Sequence, residues 1–194
     1  MKRFDLRACS RREAVEAAAA ALKNGGVAVF PTDTVYGIAA HPDFPDALER
    51  IYRIKGRRQD KPVAFLASDA SAPERCGAAM PPRARELAAA GWPGALTLVL
   101  DCPGGTEGFR VPDSEIAREI IAECGGLLRV TSANFSGQPS VAELTVADGP
   151  FCALCDVVVD GGPCPGGFPS EVVRVAADGS EKVLRARPAA SPCA

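Results

Sequence analysis

Short apolar runs alternate along this chain with longer stretches of helical period, and the punctuation between them is strong. Ser10-Arg-Arg-Glu13 is a capping box that opens an alanine-rich helix from Arg11 to Lys23, and Gly25-Gly26 stops it. Val27 to Phe30 reads as a short buried strand. Asp46 to Ile54 predicts a helix with Leu48, Ile51 and Ile54 on one face and Tyr52 off that stripe. Strands follow at Val63 to Ala67 and Ala95 to Leu100, separated by a loop or helix from Asp69 and a helix near Pro82 to Ala90. Asp113 or Ser114 caps a helix running to Cys124, with Gly125-Gly126 as its stop. Leu127 to Thr131, Val157 to Asp160, Val172 to Ala176 and Lys182 to Arg185 bring the expected total to about seven strands, interleaved with helices as in a layered α/β domain around one sheet.

Nothing in the pattern marks a linker or a repeat, so one domain over residues 1–194 is expected, with room for one substantial core. A net charge of −2 argues against a broad nucleic-acid-binding face, so any basic site must be local and any RNA contact weak. No segment reaches the roughly eighteen apolar residues of a membrane span. The basic start, Met1 to Arg7, lacks a following apolar stretch and does not read as a secretory signal, so a cytoplasmic protein with reduced thiols is expected. Of the 8 cysteines, only Cys152 and Cys155 have metal or redox spacing, and His41 is the sole histidine. A structural zinc site would need two more ligands, with Cys164 the nearest candidate, so idle thiols and no protein-bound metal are expected.

Three polar groupings stand where a packed core has no use for them. Pro31-Thr-Asp-Thr-Val-Tyr-Gly37 follows a strand, at the sheet edge where open α/β proteins place ligands; ordinary turn chemistry would produce the same residues. Lys55-Gly-Arg57 sits at a helix end inside the most basic stretch of the chain (Arg50, Arg53, Lys55, Arg57, Arg58, Lys61). A point charge beside a planar fork suits phosphate or carboxylate, while cations at a helix C-terminus also arise from the helix dipole alone. Thr131-Ser-Ala-Asn134 follows another strand, and Ser132 and Asn134 share a side if the chain stays extended. Arg110 lies in extended chain before Pro112, where it could pair with Asp33 or a substrate carboxylate, or stand on the surface. Asp160 to Ser170 is a Gly/Pro loop, either a lid or a plain crossover, and neither a P-loop nor a Gly-x-Gly-x-x-Gly element is present.

Taken together, Pro31 to Gly37, Lys55-Gly-Arg57, Trp92-Pro-Gly94 with Thr97, Arg110-Val-Pro112, Ser132-Ala-Asn134 and the loop ending at Ser170 make the chain, from about residue 22 to 185, resemble the YrdC-like threonylcarbamoyl-AMP synthases of the short, single-domain type. The resemblance implies a twisted, mostly open α/β sheet with helices packed on it and a deep basic groove. It implies an enzyme that joins L-threonine, bicarbonate and ATP into threonylcarbamoyl-AMP and pyrophosphate, with magnesium accompanying the ATP. Partner transferases then carry the threonylcarbamoyl group to adenosine 37 of tRNA. It also implies roles: Thr32, Thr34, Arg110 and Ser170 for threonine; Arg57, Lys61, Thr106, Ser132, Asn134 and Arg185 for the nucleotide; and Lys55, Arg57, Ser132 and Asn134 as the catalytic signature. Leu66, Lys61, Glu171 and the Arg185-Ala-Arg-Pro188 tail depart from the family pattern. Two alternatives follow: a paralogue of the same fold that binds RNA or nucleotide without synthesis, and a small-molecule-binding regulatory module without turnover.

Overall fold

The computed structural model describes residues 1–186. In chain order the elements are β1 (Lys2–Asp5), α1 (Arg11–Lys23), β2 (Val27–Phe30), β3 (Gly37–Ala40), α2 (Pro45–Lys55), β4 (Phe65–Ala67), α3 (Ala72–Arg75), α4 (Pro82–Gly91), β5 (Leu96–Cys102), β6 (Gly105–Arg110), α5 (Glu115–Glu123), β7 (Leu127–Ser132), α6 (Gly149–Cys152), β8 (Val157–Asp160), β9 (Glu171–Val175) and β10 (Glu181–Arg185). A single 3₁₀ turn at Val146–Asp148 precedes α6. The strands form one open, mixed sheet of 10 strands in the order β1-β8-β2-β3-β7-β4-β6-β5-β9-β10.

Period-2 alternation in the central strands assigns each face. Ala28 and Phe30 of β2 pack with α1 (Ala14, Ala18, Leu22) and α5 (Ile116, Ile120, Ile121). Val27 and Val29 point the other way, onto Ala47, Ile51 and Ile54 of α2 and Phe151 of α6. A third cluster joins Phe65, Leu98, Leu100 and Phe109 to Ala84, Ala88 and Trp92 at α4. Full burial of a side chain such as Leu22 or Ile120 contributes roughly 1.5–3 kcal/mol against exposure. The caps behave as their chemistry dictates: the hydroxyls of Ser10 and Ser114 accept from the backbone N–H groups of Glu13 and Ala117.

Three strands lie outside the seven expected. β1, with the sequence Lys-Arg-Phe-Asp, is an edge strand paired only to β8, and its polar residues hide the period. β3 is Gly-Ile-Ala-Ala, small and without alternation because both its faces are buried. β6 carries Gly105 and Gly108, residues that speak against a strand, yet it pairs along its length with β5. In α2 the buried face is Ala47, Ile51, Ile54 and Lys55, whereas Leu48 is only half-buried. The cationic Lys55 takes the place the helical period offers at the last turn.

The site owes its existence to incomplete coverage of one face. α1 and α5 pack over β8, β2, β3 and β7. Farther along the same face, the residues of matching parity on β4, β6, β5 and β9 line a cavity instead: Leu66, Gly108, Arg110, Thr97, Val99 and Val172.

Candidate active site

The cavity measures about 440 Å³, within the usual range for a small-molecule site. Its floor is apolar, made by Leu66, Val99, Val130 and Val172. Gly108 has no side chain to fill it, and a Cβ there would come 3.1 Å from that of Ala64. Hydroxyls and guanidinium groups surround this floor: Thr32, Thr34, Thr97, Thr106, Ser132 and Ser170, with Arg57, Arg110 and Arg185.

The Pro31–Gly37 turn supplies one polar group. Thr32 Oγ1 donates to the carbonyl of Val35 at 2.8 Å and accepts from the backbone N–H groups of Thr34 and Val35. Its single proton is thereby placed, so the proton of the 2.8 Å Thr32–Thr34 contact comes from Thr34. Thr34 Oγ1 in turn accepts from Arg110 Nη1 at 2.9 Å. Both hydroxyls have given their protons to the protein. Thr32 is saturated by its own turn, whereas Thr34, with one donor from Arg110, keeps a lone pair that can accept a proton from a ligand.

Arg110 is 5% exposed and forms a buried ion pair with Asp33, while its Nε donates to the carbonyl of Gly94 at 2.9 Å. The same turn receives the Gly/Pro loop: the N–H of Gly166 donates to the Asp33 carbonyl at 2.9 Å, and that of Cys164 to Ala142 at 2.7 Å. A Cβ on Gly166 would lie 2.5 Å from the Asp33 oxygen, so this approach requires glycine. Tyr36, fully buried, donates to the Gly162 carbonyl at 2.7 Å and pins the start of the loop, with burial pushing its phenol up. The loop is pinned at Gly162, Cys164 and Gly166, and it ends with Ser170 in the cavity wall.

The second polar group is cationic. α2 ends at Gly56, whose φ of +58° is the left-handed cap that favours glycine, and the chain reverses between Lys55 and Arg57. Arg57 lines the cavity, with its guanidinium donating to the carbonyls of Lys61 and Pro62 at 3.0 and 3.1 Å. Arg185 donates from Nε to the Ser170 carbonyl at 2.9 Å and from Nη2 to its hydroxyl at 3.3 Å. Ser170 also meets Thr97 at 2.8 Å. Burial and then the like charge of Arg57 push the Arg185 guanidinium down.

Of the residues singled out in the sequence, the cavity gathers Thr32, Thr34, Arg57, Thr106, Arg110, Ser132, Ser170 and Arg185. Three stand elsewhere. Lys55 is 2% exposed and turns toward the 132–134 loop. Lys61 offers Arg57 its carbonyl rather than its ammonium. Asn134 lines a separate cavity of about 320 Å³ behind that loop, because the chain bends at Ala133 and does not stay extended. Ser132 and Asn134 therefore do not share a side. The basic stretch also divides: Arg50 pairs with Asp156 at 2.6 Å and Arg58 with Asp60 at 2.9 Å, leaving Arg57 to the cavity. The sequence reading missed Val99, Gly108, Val130 and Val172 as floor residues; period 2 on the flanking strands would have found them. Cys152, Cys155 and Cys164 are buried behind α2, and burial pushes the thiols of Cys155 and Cys164 up to about 12 and 11. Among the described residues no group of three metal-ligating side chains converges, and no helix is long and apolar enough to cross a membrane.

Comparison with known proteins places this geometry in a family. The Sua5/YciO/YrdC family model, described as telomere recombination, matches residues 20–186. The chain belongs to the Sua5/YciO/YrdC family. A Mycobacterium leprae relative is 37% identical over 188 residues, covering 92% of this chain and 84% of its own length. The threonylcarbamoyl-AMP synthase of Bacillus subtilis is 37% identical over 172 residues, 83% of this chain, which spans only 50% of that longer protein. The crystal structure of Pyrococcus abyssi Sua5 complexed with L-threonine has a TM-score of 0.85 at 28% identity, covering 95% of this chain and 56% of that one. The open sheet described above is thus that of a Sua5/YciO/YrdC domain.

Proposed function

We propose that this chain is an L-threonylcarbamoyladenylate synthase, a nucleotidyl-transferring enzyme that joins L-threonine, bicarbonate and ATP and releases pyrophosphate. The observation that carries the reading is the pairing of two unlike polar groups over one apolar floor. Thr32, Thr34 and Arg110 make a neutralised pocket that accepts protons and holds a carboxylate; Arg57 and Arg185 make a cationic pocket roofed by hydroxyls. The names of the Bacillus and Pyrococcus relatives, and the threonine bound in the latter, support it.

The chemistry follows from that division. The amine of threonine adds to the carbon of bicarbonate with loss of water, giving a carbamate. A carbamate oxygen attacks the α-phosphorus of ATP, the bond to the β-phosphate oxygen breaks, and pyrophosphate leaves with that electron pair. Two anions must meet, so catalysis rests on positioning and charge neutralisation. Arg110 holds the threonine carboxylate, with the remaining lone pair of Thr34 accepting from its hydroxyl and Thr32 fixing Thr34 in place. Arg57, Arg185 and Ser132 face the triphosphate, with Thr106 at its rim. Magnesium would accompany the nucleotide. The product would pass to proteins that transfer the threonylcarbamoyl group to tRNA, in the cytoplasm.

Pyrophosphate release measured with ATP while threonine and bicarbonate are withheld in turn tests this reading. Release must require both. L-Serine should support less turnover than L-threonine because it leaves the methyl contact unmade, worth about 1–3 kcal/mol, and L-valine should support hardly any because the hydroxyl acceptors are left unpaired. Equal release with valine and threonine refutes the substrate assignment. No release with any amino acid identifies a non-synthase paralogue.

A further inference from the structure

Lys55 presents a chemical anomaly that the proposed reaction leaves unexplained. It is a cation, 2% exposed, at the end of α2, and no carboxylate offsets it; the charged group that acts on it is Arg57, of the same sign. Burial, and secondarily Arg57, lower its ammonium to about 8. Such a group persists only where its three N–H donors are satisfied. Here they are. Nζ donates to the carbonyl of Ser132 in a short contact, to the carbonyl of Asn134 at 2.7 Å and to Oδ1 of Asn134 at 3.4 Å. The backbone completes the joint, because the N–H of Ser136 donates to the Lys55 carbonyl at 2.7 Å.

A valence count decides what this lysine can do. An ammonium has three protons, and all three point at the 132–134 turn. None is left for a phosphate oxygen unless the turn is released. The turn has local supports of its own: Asn134 Nδ2 donates to Phe135 and Gln138, the N–H of Ala133 to Tyr36, and the N–H of Asn134 to the Ser132 carbonyl at 3.0 Å; Lys55 is the side chain that reaches both the Ser132 and the Asn134 carbonyls and ties the turn to α2. Ser132 is the residue of that turn whose side chain faces the cavity.

We propose that Lys55 is a positioning residue: it touches neither substrate and instead fixes the bend at Ala133, so that Ser132 faces the nucleotide side of the cavity while Asn134 is held behind it. This rests on the synthase reading and deepens it. Lys-x-Arg then has two separate tasks, split by the left-handed Gly56. Lys55 holds the turn from behind, and Arg57 meets the phosphates from the front.

The test is the pair of Michaelis constants, with rescue. Lys55→Met, folded by circular dichroism, should lower kcat/KM for ATP roughly ten- to a hundred-fold, the worth of a hydrogen bond to a charged donor. KM for L-threonine, set by Thr34 and Arg110 on the other polar group, should stay within about twofold, since sites without shared partners act independently. Lys55→Ala should recover ATP kinetics with added methylammonium and not with tetramethylammonium, which has no N–H to donate. Unchanged ATP constants overturn the proposal, as do equal losses for both substrates or an absence of rescue. Should Lys55→Met fail to fold, Lys55→Arg, which keeps the charge but not the three-way geometry, carries the same comparison. If the wild-type chain forms no product, the synthase reading has failed, and calorimetric nucleotide affinity of the same variants then decides the role of Lys55 by itself.

Discussion

The Asp33–Arg110 pair is the most heavily constrained contact in the cavity and therefore the most informative to break. Its side chains are 10% and 7% exposed, and Arg110 also holds Thr34 and the Gly94 carbonyl. Arg110→Met keeps the volume but leaves the Asp33 carboxylate buried without a partner. Asp33→Asn keeps the shape but removes the carboxylate that faces the guanidinium. Each single change should lower unfolding stability by about 3–5 kcal/mol, chiefly as the penalty of a lone buried charge. The double variant removes both charges together, so its loss should fall short of the sum by at least about 2 kcal/mol. Urea unfolding followed through the single tryptophan, Trp92, which is buried against the cavity-bearing half of the sheet, reads all four proteins. Losses that add to within about 0.5 kcal/mol would refute the claim that the two charges depend on each other. The stable double variant should still fail to bind L-threonine, which separates the structural role of the pair from its ligand role.

Two further outcomes are expected. Arg57→Ala should weaken ATP binding in calorimetry by about 1.5–3 kcal/mol, the worth of a charge-assisted bond, because this guanidinium is anchored only by neutral carbonyls; unchanged affinity in a folded variant counts against the anion site. Lys55 titrates near 8 in the fold and near its ordinary 10.5 when unfolded, so between these values the unfolded chain binds more protons. Wild-type stability measured against Lys55→Met should therefore rise with pH across that window, by up to about 1.4 kcal/mol per unit, and a gap that stays flat or narrows there rules out a buried ammonium at this position.

Much of the fold was legible because local signals agreed. Ser10 and Ser114 cap the helices they precede, the glycine pairs stop them, and Val27 to Phe30 is apolar on both faces because it lies inside the sheet. The strands that escaped notice failed for different reasons. β1 is a polar edge, and β6 is built around glycine because a Cβ at Gly108 would crowd Ala64 and fill the cavity floor. In the site, the Arg110–Asp33 pairing could be foreseen from charge and an extended approach to Pro112. The sides taken by Lys55 and Asn134 could not. Both depend on backbone reversals, a left-handed Gly56 and a bend at Ala133, that turn neighbouring side chains to opposite faces where extended or helical geometry would have kept them together.

The distribution of counter-charge, more than the count of basic residues, explains how an acidic chain holds a polyanion. Four cations stand in or against the cavity, and each is balanced differently. Arg110 has Asp33, so its pocket is close to neutral and suits a zwitterion better than a polyanion. Lys55 faces carbonyl dipoles and is turned away from the ligand. Arg57 and Arg185 are held by the carbonyls of Lys61, Pro62 and Ser170, and burial, then the like charge of Arg57, pushes Arg185 down. An anion placed between the two guanidinium groups would relieve that arrangement, and on the proposed reading this concentrates binding energy on the nucleotide side. Elsewhere in the same stretch Arg50 is neutralised by Asp156 and Arg58 by Asp60. The net charge of −2 and a cationic cavity wall are therefore compatible: Arg50 and Arg58 are answered by carboxylates outside the cavity, while Arg57 and Arg185 donate to carbonyls within it.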